Sequence, residues 1–346
     1  MKRLLMIVLS GLLVGILSTA AMAAVVTTQG DIRTWAMYST DGKQSLTDFF
    51  FDRYILSLNV EQDKTLGLKT RTEFRSYGNG VTNDIRSEAY FYKKGLFLPD
   101  DQIQMGTFGL SVYMPFRNSG FDPSIVTLPV GSKLKIGQTV GAIYTYTQPL
   151  FNVAAGLSNN RQNEQSEQAG DGLNESLRFN YTPIDGLKIG AGWEYVGNKA
   201  PSGIYDDSNY HNVNWVVDAS YNKAPYGIEI DYGTTKKTVN GSAGDSQSAL
   251  SVEAGYNVGP TLIYAGRVWD VNDSGFIKDY YTGPTTGMGK NTSLAQINNS
   301  FTVVGIAWPA KIYSKGMNIQ LEYVRVDNTS TTSGVNSLGL RFDYEF

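Results

Sequence analysis

The last eleven residues of the chain, 336–346, read NSLGLRFDYEF and alternate between two kinds of side chain. Every second position is apolar: Leu338, Leu340, Phe342, Tyr344 and Phe346. Because successive side chains of a strand point to opposite sides, this pattern predicts a strand with one apolar face and one charged face. The three- or four-residue spacing of a helix is not found here. A strand of about ten residues divided in this way is what the wall of a transmembrane β-barrel requires.

The ending Tyr-x-Phe, with a phenylalanine as the last residue, resembles the closing strand of Gram-negative outer-membrane proteins. In that family the aromatic last strand is the assembly signal, and it pairs with the first strand to close the barrel. The resemblance therefore implies that Tyr344 and Phe346 are recognised by the outer-membrane assembly machinery. It also implies that the start of the mature chain lies beside this strand.

Composition narrows the class of protein. The chain has 346 residues, no cysteine and one histidine. The absence of cysteine excludes a disulfide framework, cysteine-based zinc sites and cysteine nucleophiles. The mean hydropathy of −0.23 argues against a bundle of membrane-spanning helices. It is compatible with a membrane barrel, because only every second residue of a barrel strand faces lipid.

The N-terminus has the composition of a secretory signal. Lys2 and Arg3 precede an apolar run, residues 4–17, and an Ala-x-Ala site follows it. A basic start, a short apolar core and such a site predict a signal peptide over residues 1–23. The alternative is a membrane anchor, but the run is shorter than the ~20 residues that a spanning helix needs. Residues 24–346 are then exported and form one barrel domain.

The charge balance argues against nucleic acid as a partner. The chain carries 29 basic and 32 acidic side chains. Removal of the two basic residues of the signal peptide leaves 27 basic side chains and a net charge of −5. Proteins that bind nucleic acid usually carry a basic stripe, which this excess of acid does not favour.

The two-residue alternation recurs along the whole mature chain and predicts about 16 antiparallel strands. An even number of strands is typical of bacterial single-chain barrels. The predicted strands are 30–39, 52–61, 65–77, 84–93, 101–109, 139–147, 152–158, 176–181, 187–195, 213–221, 226–233, 249–256, 262–269, 301–308, 318–326 and 336–346. The fold class predicted is therefore all-β, a transmembrane antiparallel barrel.

The predicted connections alternate between short and long. The short ones contain proline or glycine, which end strands and form tight turns. The long ones are polar: 159–172, 197–212, 236–248, 271–300 and 327–335. Short periplasmic turns and longer outer loops are the arrangement of bacterial barrels. Aromatic residues stand beside both sets of connections, as expected for two membrane interfaces.

One segment, residues 111–135, interrupts the alternation with three prolines and separates the fifth and sixth predicted strands. Its layout is similar to that of the general porins, whose third outer loop folds into the lumen and narrows it. The resemblance implies that Asp122 of this loop faces basic residues on the inward side of the first four strands. Candidate constriction residues on those strands are Arg33, Arg53, Lys69, Arg71, Arg75, Arg86, Glu73 and Glu88.

The resemblance to general porins implies a water-filled channel for passive diffusion of small hydrophilic solutes and ions. It implies a homotrimer in outer-membrane lipid and no cofactor. Met114-Pro115-Phe116-Arg117 stands where the family has an acidic sequence, so we expect modest selectivity that leans towards anions. Three alternatives stay open: a substrate-specific channel for phosphate or another anion, an outer-membrane enzyme, and a structural or adhesive barrel with a plugged lumen.

Two other motifs are weak. His211 lies in a predicted outer loop near Asp206 and Asp207, but no spaced nucleophile accompanies it, which favours a solvated histidine over a catalytic base. Residues 270–275 have the oxygen donors of half a calcium loop, but Tyr281 stands where a bidentate glutamate is expected. The sequence therefore predicts neither an enzyme nor a metal site, and a polar outer turn is favoured at 270–275.

Overall fold

The computed structural model describes residues 25–40, 45–77, 82–108, 139–159, 173–198, 210–239, 241–271, 300–309, 316–327 and 335–346. Several predictions fall outside these segments. They are the signal peptide over 1–23, the lumen loop over 111–135 with its Asp122, and most of the outer loops over 159–172, 197–212, 271–300 and 327–335.

The described segments form 16 strands, which account for nearly all of their residues. They are β1 (Val25–Thr40), β2 (Ser45–Glu61), β3 (Leu66–Tyr77), β4 (Thr82–Lys94), β5 (Asp101–Phe108), β6 (Thr139–Thr147), β7 (Phe151–Asn159), β8 (Leu173–Ile184), β9 (Leu187–Asn198), β10 (Tyr210–Lys223), β11 (Tyr226–Val239), β12 (Ser242–Val258), β13 (Thr261–Val271), β14 (Ser300–Trp308), β15 (Gly316–Asp327) and β16 (Val335–Glu345).

Each strand pairs antiparallel with its neighbours in sequence, and β1 also pairs with β16, so the sheet closes into one barrel. The prediction of an all-β antiparallel barrel of about 16 strands is confirmed. Even-numbered strands end at one rim, which we call the turn rim, and odd-numbered strands end at the opposite loop rim. Within the described segments, no helix is long and apolar enough to cross a membrane.

The barrel is apolar outside and polar inside. Large apolar side chains are exposed on the outer face, with Phe49 71%, Phe91 57% and Trp215 53% exposed. The alternate positions, which point inward, carry charged and amide side chains that are mostly buried, such as Glu194 and Gln320. Water-soluble monomers rarely expose contiguous apolar surface on this scale. An apolar belt around a polar interior is the arrangement of a transmembrane barrel.

The barrel closes at the chain's last residue, as the terminal pattern predicts. The backbone N–H of Gly30 donates to the carbonyl of Phe346, and the N–H of Phe346 donates to the carbonyl of Gly30, both at 3.0 Å. The Phe346 ring covers Gly30 so closely that a Cβ at this position would collide with it. On the same face Tyr344 stacks against Phe346, with ring centroids 6.0 Å apart.

Exposed aromatic side chains mark the turn rim. On the outer face near this rim, the rings of Tyr226 and Tyr256 on β11 and β12 lie with their centroids 5.3 Å apart. Tyr181, Trp308 and Phe346 are also exposed there. Amphipathic rings prefer the headgroup level of a bilayer, so this band indicates where the outer face leaves the hydrocarbon.

The predicted loop over 236–248 is wrong. β11 continues to Val239 and β12 begins at Ser242, so most of this segment is a hairpin. It is polar on both faces, and a hairpin that extends beyond the lipid needs no apolar face. The sequence Asn240-Gly241 is a favoured two-residue hairpin turn, and Gly241 has a φ of +80°.

The first two strands are longer than predicted. β1 begins at Val25 rather than at residue 30, and β2 begins at Ser45 rather than at residue 52. Their register shifts between Arg33 and Thr34, where a bulge places an extra residue in β2. Because the bulge interrupts the alternation, the pattern on its loop-rim side does not predict a strand.

Candidate functional site

The predicted constriction residues of the first four strands occupy neighbouring positions in the barrel. Arg33 is the Cα partner of Arg53, and Arg53 of Arg75, so three basic positions adjoin across β1, β2 and β3. Glu73 is the partner of Arg86 on β4. The side chains of Arg53, Arg75 and Arg86 lie outside the described part of the structure. The register therefore places Arg33, Arg53, Arg75, Glu73 and Arg86 next to one another on β1–β4. We call this part of the barrel wall the basic strip.

Arg71 lies in the middle of the basic strip, between two carboxylates. Its Nη1 donates to Glu88 Oε1 at 2.9 Å, and its Nη2 lies 3.1 Å from Glu73 Oε2. Both glutamates are buried. Lys69 lies one row nearer the turn rim, beside Tyr90. The two ion pairs hold the Arg71 guanidinium against the wall.

A second charge cluster lies at the seam between β1 and β16. Arg33 Nε donates to Asp343 Oδ1 at 2.6 Å, and Arg341 Nε lies 2.9 Å from Asp343 Oδ2. All three side chains are buried. Sequence analysis named Arg33 as a pore residue but missed its partner. The sequence pattern could have identified Arg341 and Asp343, because both fall on the charged face of the last strand.

Sequence analysis also missed an acidic strip on β10, β11 and β12. It consists of Asp218, Glu229, Asp231 and Glu253, all at most 2% exposed. Glu229 is the Cα partner of Glu253, and Asp218 is the partner of Asp231. These residues alternate with exposed apolar ones such as Ile230, so the two-residue pattern could have identified them.

The two strips lie on opposite sides of the barrel. β3 and β11, their central strands, are eight strands apart in a ring of 16. Opposed charges across a water-filled path produce a transverse field, which orients dipolar solutes and filters ions. Such a field acts most strongly where low-dielectric walls confine it.

Inward side chains also bridge alternate strands by crossing glycines. Tyr264 on β13 crosses Gly305 on β14 and donates to Glu322 Oε2 on β15 at 2.7 Å. Gln320 Nε2 donates to the same tyrosine oxygen at 2.5 Å. A Cβ at Gly305 would collide with the Tyr264 ring. Glycine thus leaves room for a hydrogen-bonded bridge over three strands.

Two further bridges use the same device. Arg178 on β8 lies over Gly190 on β9 and reaches Asp218 on β10 with two hydrogen bonds, of 2.5 and 2.7 Å. Tyr92 on β4 lies over Gly67 on β3 and donates a hydrogen bond to Glu61 Oε1 on β2. These three bridges tie β13 to β15, β8 to β10 and β4 to β2, which resists deformation of the wall.

Neither weak motif of the sequence forms a site among the described residues. His211 lies at the start of β10 rather than in a loop, and its ring stacks on Tyr195 with centroids 5.3 Å apart. Asp270 belongs to β13, and residues 272–281 of the calcium-like segment lie outside the described residues. Among the residues that are described, no three His, Asp or Glu side chains are grouped to hold a metal ion.

No protein-family model matches the chain, and no curated protein matches it. Its structure is similar to those of solved outer-membrane proteins. One is a loop L8 deletion mutant of OmpT from Vibrio cholerae, with a TM-score of 0.61, 17% identity, and 94% of this chain and 100% of that chain covered. The Vibrio cholerae protein is also known in a trimer form, with 15% identity, a TM-score of 0.56 and 94% and 100% coverage.

Two porins are similar to the same extent. The anion-selective porin from Comamonas acidovorans has a TM-score of 0.61 and 12% identity, with 93% of this chain and 100% of that chain covered. OmpF of Salmonella typhi, in complex with daunomycin, has a TM-score of 0.61 and 13% identity, with 93% and 97% covered. Together with the closed ring of 16 strands, these similarities establish that the protein has the fold of the Gram-negative outer-membrane porins.

Proposed function

We propose that the protein forms a water-filled channel for passive diffusion of small hydrophilic solutes and ions across the outer membrane. The observation that carries the proposal is a closed 16-stranded wall with an apolar outer face and opposed charged strips inside. The side chains of a barrel this wide do not fill its interior, which leaves an aqueous path. The proposed function is not enzymatic and requires no cofactor.

The narrowest part of the channel is proposed to lie at the level of the basic strip. By resemblance to the general porins, we propose that residues 111–135 fold into the lumen there and place Asp122 opposite the strip. The constriction set comprises Arg33, Arg53, Lys69, Arg71, Arg75, Arg86, Glu73, Glu88 and Asp122. Polar solutes align with the transverse field, whereas apolar solutes of the same size gain nothing from it.

Ion selectivity is proposed to be modest. Arg71 is already paired with two glutamates, and the acidic strip faces it across the lumen. The sequence of residues 114–117 predicts a slight preference for anions, and the negative charges of the acidic strip oppose that preference. The reversal potential in a salt gradient measures the balance, and a strong preference for either ion would contradict this part of the proposal.

We further propose a homotrimer that is exported by the signal peptide over 1–23. The trimer form of the similar Vibrio cholerae protein supports this assembly. The exposed apolar outer face provides the surface for contact with lipid and with other subunits. Tyr344 and Phe346 are proposed as the signal for the assembly machinery, and the packing of Phe346 on Gly30 supports a role in closure.

The function is tested by insertion of the purified protein into planar bilayers. We expect stepwise increases of conductance, and three steps that close one after another at high voltage would support the trimer. Liposomes that contain the protein should also release small sugars and retain larger polymers. Insertion without conductance and without sugar release would refute the channel and favour a plugged structural barrel.

A further inference from the structure

A cavity of about 450 Å³ lies on the inner side of β1–β5, between Arg71 and the turn rim. Cavities that bind small molecules commonly have volumes of roughly 300–1,000 Å³. Its lining includes Asn59, Glu61, Lys69, Tyr92, Lys94 and Gln104. The cavity is thus large enough for a solute of monosaccharide size, and it is separate from the ion pairs of Arg71.

Part of the lining is held in place before any solute arrives. Glu61 Oε1 accepts hydrogen bonds from Tyr92 Oη at 3.0 Å and from Asn59 Nδ2 at 3.1 Å. The Tyr92 ring lies against Gly67, where a Cβ would collide with it. Groups fixed in this way lose little entropy when a ligand binds, which favours affinity.

The described lining carries more positive than negative charge. Lys69 and Lys94 present ammonium groups that only donate hydrogen bonds. Glu61 is the one carboxylate among the described lining residues, and one of its oxygens already accepts two hydrogen bonds. Lys94 Nζ lies 5.6 Å from the centroid of the Tyr92 ring. The cavity therefore favours a solute with a negative charge.

The remaining groups fit hydroxyls. Amides such as Gln104 and hydroxyls such as Ser57 and Thr27 both donate and accept hydrogen bonds, as sugar hydroxyls do. Tyr92 adds an aromatic ring to the lining. A neutral sugar would leave the lysines without a partner, and inorganic phosphate would leave most amides and hydroxyls to water.

We infer that this cavity is a binding subsite for a sugar acid of monosaccharide size, with its carboxylate at Lys69 and Lys94 and its hydroxyls at the amides. The inference rests on the proposed channel, because the solute reaches the cavity through the lumen. A subsite that shares Lys69 with the proposed constriction raises the local concentration of the preferred solute and makes its passage saturable.

The test uses sodium glucuronate as the probe, with glucose and inorganic phosphate as comparisons, on single channels in planar bilayers. We expect glucuronate to block the ion current saturably, at a concentration at least about tenfold lower than either comparison. A charged hydrogen bond lost at each lysine should weaken this block at least about tenfold in Lys69→Gln/Lys94→Gln. Lys188→Gln, on β9 and six strands from β3 in the ring, is the matched control and should not change it.

Calorimetric titration of the detergent-solubilised protein with the same three probes separates the subsite from the channel. Glucuronate binding without conductance would keep the subsite and refute the channel. Conductance without glucuronate binding would overturn the subsite and leave the channel intact. Phosphate or glucose that bound as tightly as glucuronate, or a double variant that kept its affinity, would also overturn the inference.

Discussion

Single residues of the inner wall are stabilised by buried charge pairs, and Arg178 with Asp218 is the clearest of them. Both side chains are at most 2% exposed, and the guanidinium donates two hydrogen bonds to the carboxylate. Loss of one partner from a buried pair commonly costs about 3–5 kcal/mol, because the other charge stays buried without compensation. We expect Asp218→Asn to lower the free energy of unfolding by about that amount, measured by urea unfolding in lipid vesicles.

An exposed pair between the β8–β9 turn and the end of β10 serves as the control. Lys223 Nζ lies 3.2 Å from Asp185 Oδ2, and these side chains are 56% and 86% exposed. Such surface pairs contribute about 0–1 kcal/mol, because water and salt screen them. Asp185→Asn should therefore change stability little. Equal losses in the two aspartate variants would show that burial does not determine the cost.

Asp63 in the turn between β2 and β3 leads to a prediction about pH. Its Oδ1 accepts hydrogen bonds from the Thr65 hydroxyl at 2.7 Å, the Thr65 N–H at 2.6 Å and the Leu66 N–H at 2.8 Å. The hydroxyl, followed by the backbone groups, lowers the pKa of Asp63 below its usual value. The turn is therefore stabilised above the unfolded pKa, and this contribution is lost as pH falls through the folded pKa.

Carboxyl NMR titration of the protein in detergent micelles tests this directly. We expect a midpoint for Asp63 below that of an unfolded aspartate, which is about 3.9. Thr65→Ala removes the hydroxyl donor and should raise the midpoint. An unchanged midpoint in that variant would mean that the hydrogen bond contributes nothing to the shift.

The sequence predicts which residues face inward but not which of them pair. The alternation places Arg71, Glu73 and Glu88 on one face, as the structure does. Their contacts depend on the register between β3 and β4. A slip of two residues would keep every side chain on the same face and change every partner. Periodicity alone therefore cannot choose among these registers.

At the scale of the strands, the seam between β1 and β16 depends on a glycine. The Phe346 ring covers Gly30, and any side chain there would have to displace it. Overpacking of this kind costs about 1–3 kcal/mol. We expect Gly30→Ala to lower the yield of folded barrel, measured by the heat-dependent mobility of the protein in gel electrophoresis.

The matched variants distinguish a ring clash from a backbone effect. Phe346→Ala removes the ring and should also lower the yield, because the seam loses its apolar cover. The double variant Gly30→Ala/Phe346→Ala should fold no worse than Phe346→Ala alone, since no ring remains to be displaced. An additive loss in the double variant would rule out the contact as the cause.

The hairpin of β11 and β12 shows where element prediction fails. Residues 236–248 are polar on both faces, so hydrophobic alternation could not identify them as strand. The turn chemistry of Asn240-Gly241 was a better guide than polarity. The seam between β1 and β16 was easier to predict, because β16 lies within the apolar belt and has one apolar face and one charged face.

At the scale of the whole molecule, the two opposed charged strips could have been predicted from the strand count and the two-residue alternation. The strand count places β3 opposite β11, and the alternation of β11 places Glu229 and Asp231 on its inward face. The segment 111–135, predicted as a lumen loop, could not be placed in this way. A segment without alternation has no face that the sequence assigns, so its path depends on tertiary contacts.

The acidic strip should control ion selectivity, because it faces the basic strip across the channel. Glu229 and Glu253 are Cα partners, so Glu229→Gln/Glu253→Gln removes two adjacent charges at nearly constant size. Two charges at ~10 Å from a permeating ion, screened by ~0.1 M salt, change the anion-to-cation permeability ratio by about two- to fourfold. We expect the reversal potential in a salt gradient to shift towards that of chloride, by the amount that this change in permeability ratio gives.

Arg71→Gln should shift the reversal potential the other way, and Asp185→Asn, on the turn, should leave it unchanged. If the double glutamate variant and Arg71→Gln both kept the reversal potential of the parent protein, the ion path would not run between the two strips.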